Sequence, residues 1–358
     1  MEIAYFLLWS LIVILTLLPL SRSQHWIFRV PDFGKVQLMI SCLIVFLLAF
    51  AVKNTIAYFW AFQLGLIAVF VYHAIVIFRY TSLFPIEKKQ KTAASSHSIT
   101  IVSCNIYQFN KEKNRFIDLI KKYNPSIFLT IESDESWEKE MRVLEKDYPY
   151  THKISLDNTY GMHLYANVKM KEIKEHYFVA DDIPSIEAHF ITEDKFEFVI
   201  FAVHPPPPSP TEEETSKERD GELMSVAKRI AELQKPVVVI GDFNNVAWAK
   251  TSLLFRKAAE LIDPRIGRGL LATFHAKYKL FRFPIDHIFH TADIFVEKIN
   301  TLEHVGSDHF PLYCKFWIDK QTHQQEEEVT SLDTDENTEV DELIQEGKEE
   351  EGDRSKYE

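Results

Sequence analysis

The chain has 358 residues, a formal net charge of −12, 46% hydrophobic and 26% charged residues, and three cysteines. These proportions exclude a collagen-like or wholly disordered chain, and so few cysteines exclude a disulfide-stapled miniature fold. The charge divides the chain in three: residues 1–97 carry 8 basic and 3 acidic groups, 98–318 carry 28 and 33, and 319–358 carry 4 and 16.

The first 80 residues read as a membrane domain. Ile3–Leu20, Val36–Val52 and Ile56–Phe78 are uncharged runs of 18, 17 and 23 residues, each near the length that a bilayer core requires, which predicts three transmembrane helices. Each central Leu, Ile, Phe or Val contributes roughly −0.3 to −0.6 kcal/mol to insertion, so Gln63 and His73 are tolerated. Met1-Glu2 lacks the basic start of a signal peptide, and Leu18-Pro19-Leu20 lacks its small-residue cleavage site. Arg22, Arg29 and Lys35 fall on the same face as Arg79, Lys88, Lys89 and Lys91, with only Lys53 in the opposite turn. The positive-inside tendency therefore places the carboxy-terminal bulk in the cytoplasm. Residues 81–97 read as a flexible basic tether whose lysines face anionic headgroups.

Residues 98–318 suffice for one substantial domain of mixed pattern. Ile99–Cys104 and Ser126–Ile131 are short apolar strands flanking a helix over Lys111–Tyr123, and a second helix covers Glu135–Lys146. Phe196–Val203 is a strand that stops at His204 and four prolines. Ser209-Pro210 is a fitting cap and first turn for a helix reaching Leu233. Pro236–Ile240 is too continuously apolar for a surface and delivers Asp242 and Asn244 to the rim of a buried sheet. Asp308-His309 precedes a last alternating strand, Phe310–Phe316. Residues 319–358, nearly devoid of apolar side chains, read as a disordered acidic tail; a competitor for the active site is a second reading of it.

The strand ends carry Ser103-Cys104-Asn105, Thr130-Ile131-Glu132, Ala202-Val203-His204, Gly241-Asp242-Phe243-Asn244, Pro284-Ile285-Asp286-His287 and Gly306-Ser307-Asp308-His309. In that order they resemble the endonuclease/exonuclease/phosphatase superfamily, with bacterial membrane-bound members in particular, over residues 98–318. The resemblance implies a four-layered α/β sandwich of two packed mixed sheets flanked by helices. It also implies a bacterial inner-membrane setting.

The chemistry makes parallel demands. Hydrolysing a phosphodiester needs a cation against the phosphate charge, an activated water and a proton donor for the leaving oxygen. Glu132 suits a hard ion such as Mg²⁺, with Mn²⁺ as a substitute, and Asn105 adds an amide oxygen; Asp308 joins them on the metal side. By resemblance, Asp286 orients His309, which serves as base or charged phosphate clamp. Asp242 resembles the residue that polarises the attacking water, Asn244 the one that holds a phosphoryl oxygen, and His204 the proton donor or transition-state stabiliser opposite His309. Arg268 and Arg282 are candidate phosphate clamps. Many relatives carry Ser-Arg where Ala166-Asn167 stand here, a departure that bears on phosphate contacts from that loop and not on catalysis.

The expected activity is that of a membrane-anchored, divalent-metal-dependent phosphodiesterase or nuclease. A lipid or inositol phosphate phosphatase, or phospholipase C-like enzyme, is the alternative, and a catalytically silent scaffold the remote one. The expected partners are a phosphate-ester substrate (nucleic acid or phospholipid headgroup) and the bilayer, with no obligate protein partner. With 28 basic against 33 acidic groups, the domain lacks the footprint of a long-duplex binder.

Overall fold

A run of apolar helices leads into two facing β-sheets in the computed structural model, which describes residues 2–53, 56–92, 94–321 and 324–352. The helices are α1 (Glu2–Leu17), a short α2 (Trp26–Arg29), α3 (Lys35–Leu48) and α4 (Phe59–Phe78). Glu2–Leu20 and Phe59–Phe78 are each long and apolar enough to cross a membrane. Trp26–Asp32 and Lys35–Ala51 make a third such span only as a pair bent by 72°. At that bend Asp32 and Lys35 form a buried 2.7 Å ion pair.

The mixed α/β part begins with β1 (Ile99–Asn105), α5 (Lys113–Tyr123), β2 (Ile127–Ile131), α6 (Glu135–Met141), β3 (Tyr150–Ile154) and β4 (Met162–Ala166). It continues through β5 (Lys169–His176), β6 (Ser185–Ile191), β7 (Glu197–Val203), α7 (Lys217–Glu232), β8 (Val237–Asp242) and α8 (Lys250–Ala258). It closes with β9 (Asp286–His290), β10 (Ile294–Thr301) and β11 (Leu312–Ile318), and α9 (Thr334–Glu349) follows. One sheet runs β10-β11-β1-β2-β4-β3, the other β5-β6-β7-β8-β9. Both mix parallel and antiparallel neighbours.

The inward faces interdigitate Ile101, Leu129, Leu164, Ala188, Ile200, Ile240 and Phe316 into a buried apolar core. Phe116 and Ile120 of α5, with Trp137 of α6, cover the outside of the first sheet. Leu223 and Ala227 of α7 and Phe255 of α8 cover the second. The result is four layers, helix, sheet, sheet, helix, as the strand-end pattern implied.

Three expectations are corrected. The helix after the prolines starts at Lys217, not at Ser209. Residues 208–216 are held out of helical form by the Pro208–Glu213 bridge and by Trp26 N–H donating to Glu214 O at 3.0 Å. The acidic tail is not disordered where it is described. Asp333 and Glu336 form a reciprocal capping box for α9, whose Val340 and Leu343 are buried against the second sheet's helices; residues 353–358 lie outside the described residues. The tether is pinned to protein: Lys89 pairs with Glu328 at 2.9 Å, and Lys91 lies over the Trp317 ring.

Candidate active site

Strand register assembles the site. The parallel pair β1–β2 sets Asn105 opposite Ile131, so Glu132 emerges beside Asn105. The parallel pair β7–β8 sets Val203 opposite Gly241, which brings His204 next to Asp242, and antiparallel β9 sets Asp286 across from Asp242. Six loops thus open on one rim, the usual place for functional groups on a sheet scaffold. Gly241, at φ +154°, is required there: a Cβ would sit 1.9 Å from the Val203 carbonyl oxygen. Glu132 and Asn244 adopt left-handed backbone at φ 62° and 48°, conformations seldom kept in non-glycine residues unless the surroundings enforce them.

His309 is central. Its Nδ1 lies 2.7 Å from Asp286 Oδ2 and its Nε2 3.6 Å from Asp242 Oδ2. Burial alone would depress this imidazole, but Asp286 and Asp242, with Asp308 behind them, outweigh it and raise its pKa. The ring is therefore held as an imidazolium. Burial, reinforced by Asp286, raises the Asp242 carboxyl despite the opposing imidazolium and the Asn244 N–H that it accepts at 3.0 Å. His204 behaves oppositely: burial and the nearby His309 charge lower it to about 3, so its ring is neutral. It packs at 5.1 Å from the Tyr160 ring.

Asn105 donates through Nδ2 to Glu132 Oε1 at 2.7 Å and to Asp242 Oδ2 at 3.2 Å. Its Oδ1 accepts the Tyr107 N–H at 3.0 Å. That backbone donor fixes the amide's orientation, so its nitrogen links two carboxylates while its oxygen keeps a second lone pair. Glu132 Oε2 accepts the Gln108 N–H at 3.1 Å, and burial raises the Glu132 carboxyl. Asn244 ties the floor to the proline loop through Nδ2–H···O=C of Pro205 at 3.0 Å.

The expected arginine clamps are elsewhere. Arg268 spends its guanidinium on the carbonyls of Pro264 and Val296 at 2.7 and 2.9 Å. Arg282 binds the Ala276 carbonyl and stacks on Phe310. Neither lines the cavity, because backbone carbonyls of the 264–282 loop claim them first.

The cavity itself, about 830 Å³, is lined by Asn105, Glu132, His204, Asp242, Asn244, Asp308 and His309. Sequence reasoning missed its opposite wall. Leu15, Arg29, Val30, Phe33 and Leu38 of the amino-terminal helices line it as well. The only available signal was that Arg29 and Lys35 interrupt an otherwise apolar stretch.

The donor set fits a metal ion. The Asp242 and Asp286 carboxyls flank the His309 ring, with atoms of all three within 4.8 Å of one another. With Glu132 and Asp308 added, four carboxylates face one imidazolium, and Asp286 Oδ1 is buried without a hydrogen-bond partner. Buried negative charge in that excess calls for a cation, and oxygen donors favour a hard one.

Carboxylates and imidazoles thus meet at the ends of paired strands in a four-layered α/β sandwich. The chain belongs to the endonuclease/exonuclease/phosphatase family, whose sequence profile matches residues 102–309. No curated protein matches it by sequence. Among solved structures it is similar to D. rerio TDP2 complexed with a single-strand DNA product, at 17% identity and TM-score 0.53, over 62% of this chain and 99% of that one. It is also similar to the endonuclease/exonuclease/phosphatase from Bacteroides vulgatus, at 17% identity and TM-score 0.53, over 63% and 100%. The human Nocturnin catalytic domain with bound sulfate follows at 17% and 0.51, over 61% and 94%. At these identities the likeness establishes the fold.

Proposed function

We propose that the protein is a membrane-anchored, divalent-metal-dependent phosphoester hydrolase of the phosphodiesterase type. The observation that carries this is the convergence of Glu132, His204, Asp242, Asp308 and His309 on one cavity, with His309 clamped between Asp242 and Asp286. Glu132 and Asp308 are the oxygen donors left over once Asp286 and Asp242 are engaged with His309, and they would hold Mg²⁺ or Mn²⁺. Such an ion supplies charge neutralisation for the phosphate oxygens.

The chain's own groups do the rest. Asp242, with its raised pKa, accepts the proton of the attacking water near neutral pH. The His309 imidazolium, oriented by Asp286, faces the developing negative charge, and the neutral His204 ring offers one further hydrogen bond from the opposite side. Asn244, which lines the same cavity, would donate its second amide hydrogen to a phosphoryl oxygen. Asn105 acts as a positioning residue for both Glu132 and Asp242.

The test is hydrolysis of bis-p-nitrophenyl phosphate by the full chain in detergent with Mg²⁺. Asp242→Asn should reduce kcat by roughly 10²–10⁴, and EDTA should stop turnover until Mg²⁺ is restored. Unchanged turnover in Asp242→Asn would remove the residue from the mechanism, and indifference to EDTA would remove the metal.

A further inference from the structure

We propose that the substrate is a membrane lipid with a phosphodiester headgroup, drawn sideways from the bilayer into the cavity along the amino-terminal helices. The proposal rests on the phosphodiesterase reading above and adds the substrate class and its route.

Three observations point to it. First, the cavity is built from two unlike halves: carboxylates and imidazoles on the sheet rim, and on the other side Leu15, Val30, Phe33 and Leu38 from the helices that are apolar enough to enter a membrane. A molecule that fills both halves has a phosphate at one end and hydrocarbon at the other. Second, Arg29 is the only lysine or arginine among the lining residues, and its Nε is buried without a hydrogen-bond partner among the described residues. A nucleic-acid strand is held by neutralising several phosphates, whereas one arginine suits one headgroup. Third, the loop after the cavity's far wall presents Leu280 and Phe281 at 79% and 62% exposure, beside the exposed Lys277 and Lys279. Its tip adjoins the membrane helices, since Gln37 Nε2–H donates to the Leu280 carbonyl at 2.8 Å. An exposed apolar tip beside cations is the pattern of a segment that dips into a headgroup layer. Phe281 also lines the cavity, so the dipping loop and the chemical site are continuous.

In the reaction the water oxygen bonds to phosphorus as the bond from phosphorus to the leaving oxygen breaks. Asp242 takes the water's proton, and the His309 imidazolium gives one to the leaving oxygen. The products are a phosphomonoester and an alcohol, one of which keeps the acyl chains.

The experiment uses the full chain in nanodiscs with Mg²⁺ and four substrates. These are bis-p-nitrophenyl phosphate, a dioleoyl phosphodiester lipid panel (phosphatidylcholine, phosphatidylethanolamine, phosphatidylglycerol), the matching chain-free glycerophosphodiesters, and a single-stranded DNA oligonucleotide. For at least one headgroup, kcat/KM for the dioleoyl lipid should exceed that for its chain-free counterpart by roughly 100-fold, because binding of the remote chains drives the reacting end into place. Phe33→Asp, and the surface variant Phe281→Ser, which carries little folding risk, should each lower the ratio of lipid to p-nitrophenyl ester turnover roughly tenfold. If the p-nitrophenyl ester is cleaved but the chain-free esters or the oligonucleotide are cleaved as well as the lipids, the lipid assignment falls and the hydrolase reading stands. If no ester is cleaved, both fall.

Discussion

At the scale of single residues, the site separates charged from neutral groups by what surrounds each. His309 is charged because carboxylates overcome its burial, and His204 is neutral because nothing does. Away from the site, Glu222 of α7 shows the same physics in a stability role. It accepts from Ser185 Oγ at 2.7 Å, yet burial raises it to about 7. A carboxyl whose folded value exceeds its unfolded one holds its proton longer in the native state, so stability is highest below the unfolded value. It is then lost as pH rises toward the folded value and levels off above it. Between pH 5 and 8 the full chain should therefore lose stability by about 3 kcal/mol from this group. Glu222→Gln should flatten that slope and be the more stable protein at pH 8; denaturant titrations at the two pH values decide it. A slope unaltered by the substitution would mean that Glu222 is ionised in the fold.

The residues that meet in the cavity were legible because strand termination and residue type are both visible in sequence: an apolar run ending in Asp, Glu or His can be read without knowing the fold. Arg268 and Arg282 were not. Whether an arginine reaches a ligand or a backbone carbonyl depends on the path of a loop, and the segment from 264 to 282 curls back so that its own carbonyls capture both guanidinium groups.

Among elements, α9 teaches the most. Its composition resembles a solvated tail, but its acidic groups meet lysines on α7 and α8: Asp341 with Lys228, Glu339 with Lys250, Glu336 with Lys257. Average charge hid this complementarity, and Val340, Leu343 and Ile344 form too thin an apolar stripe to announce packing. The stripe suffices because the helices cross closely at Gly221 and Gly347, where a Cβ on Gly347 would lie 2.8 Å from the Lys217 carbonyl oxygen. Truncation after Val329 should lower stability by about 3–6 kcal/mol, at about 1.5–3 kcal/mol for each of Val340 and Leu343. It should not raise activity, because no residue of α9 lines the catalytic cavity. Thermal midpoints and ester turnover of the truncated chain test both halves. A stimulated enzyme of unchanged stability would restore the picture of a loose competitor.

For the whole molecule, the proposed membrane anchor raises the question of which side the α/β domain would occupy. The amino-terminal helices are built into that domain: Trp248 Nε1–H donates to the Asp32 carbonyl at 2.8 Å, the Gly267 N–H to the Arg79 carbonyl at 2.8 Å, and Ile77, Tyr80 and Phe33 pack with Trp248 and Ile285. The segment between α1 and α3 and the segment after α4 thus touch the same body, which requires them to share a face. Arg22, Arg29, Lys35 and Arg79 all belong to those two segments, whereas Lys53 follows α3 on the way to α4. Basic residues near helix ends are retained on the cytoplasmic side, so the domain should be cytoplasmic. A fusion placed after Ser95 should then give inactive alkaline phosphatase and fluorescent green protein in bacterial cells. Active phosphatase with a dark fluorophore would put the domain outside. The lipid substrate would then have to come from the outer leaflet of the same bilayer, since the cavity's apolar wall travels with the domain to whichever face it occupies.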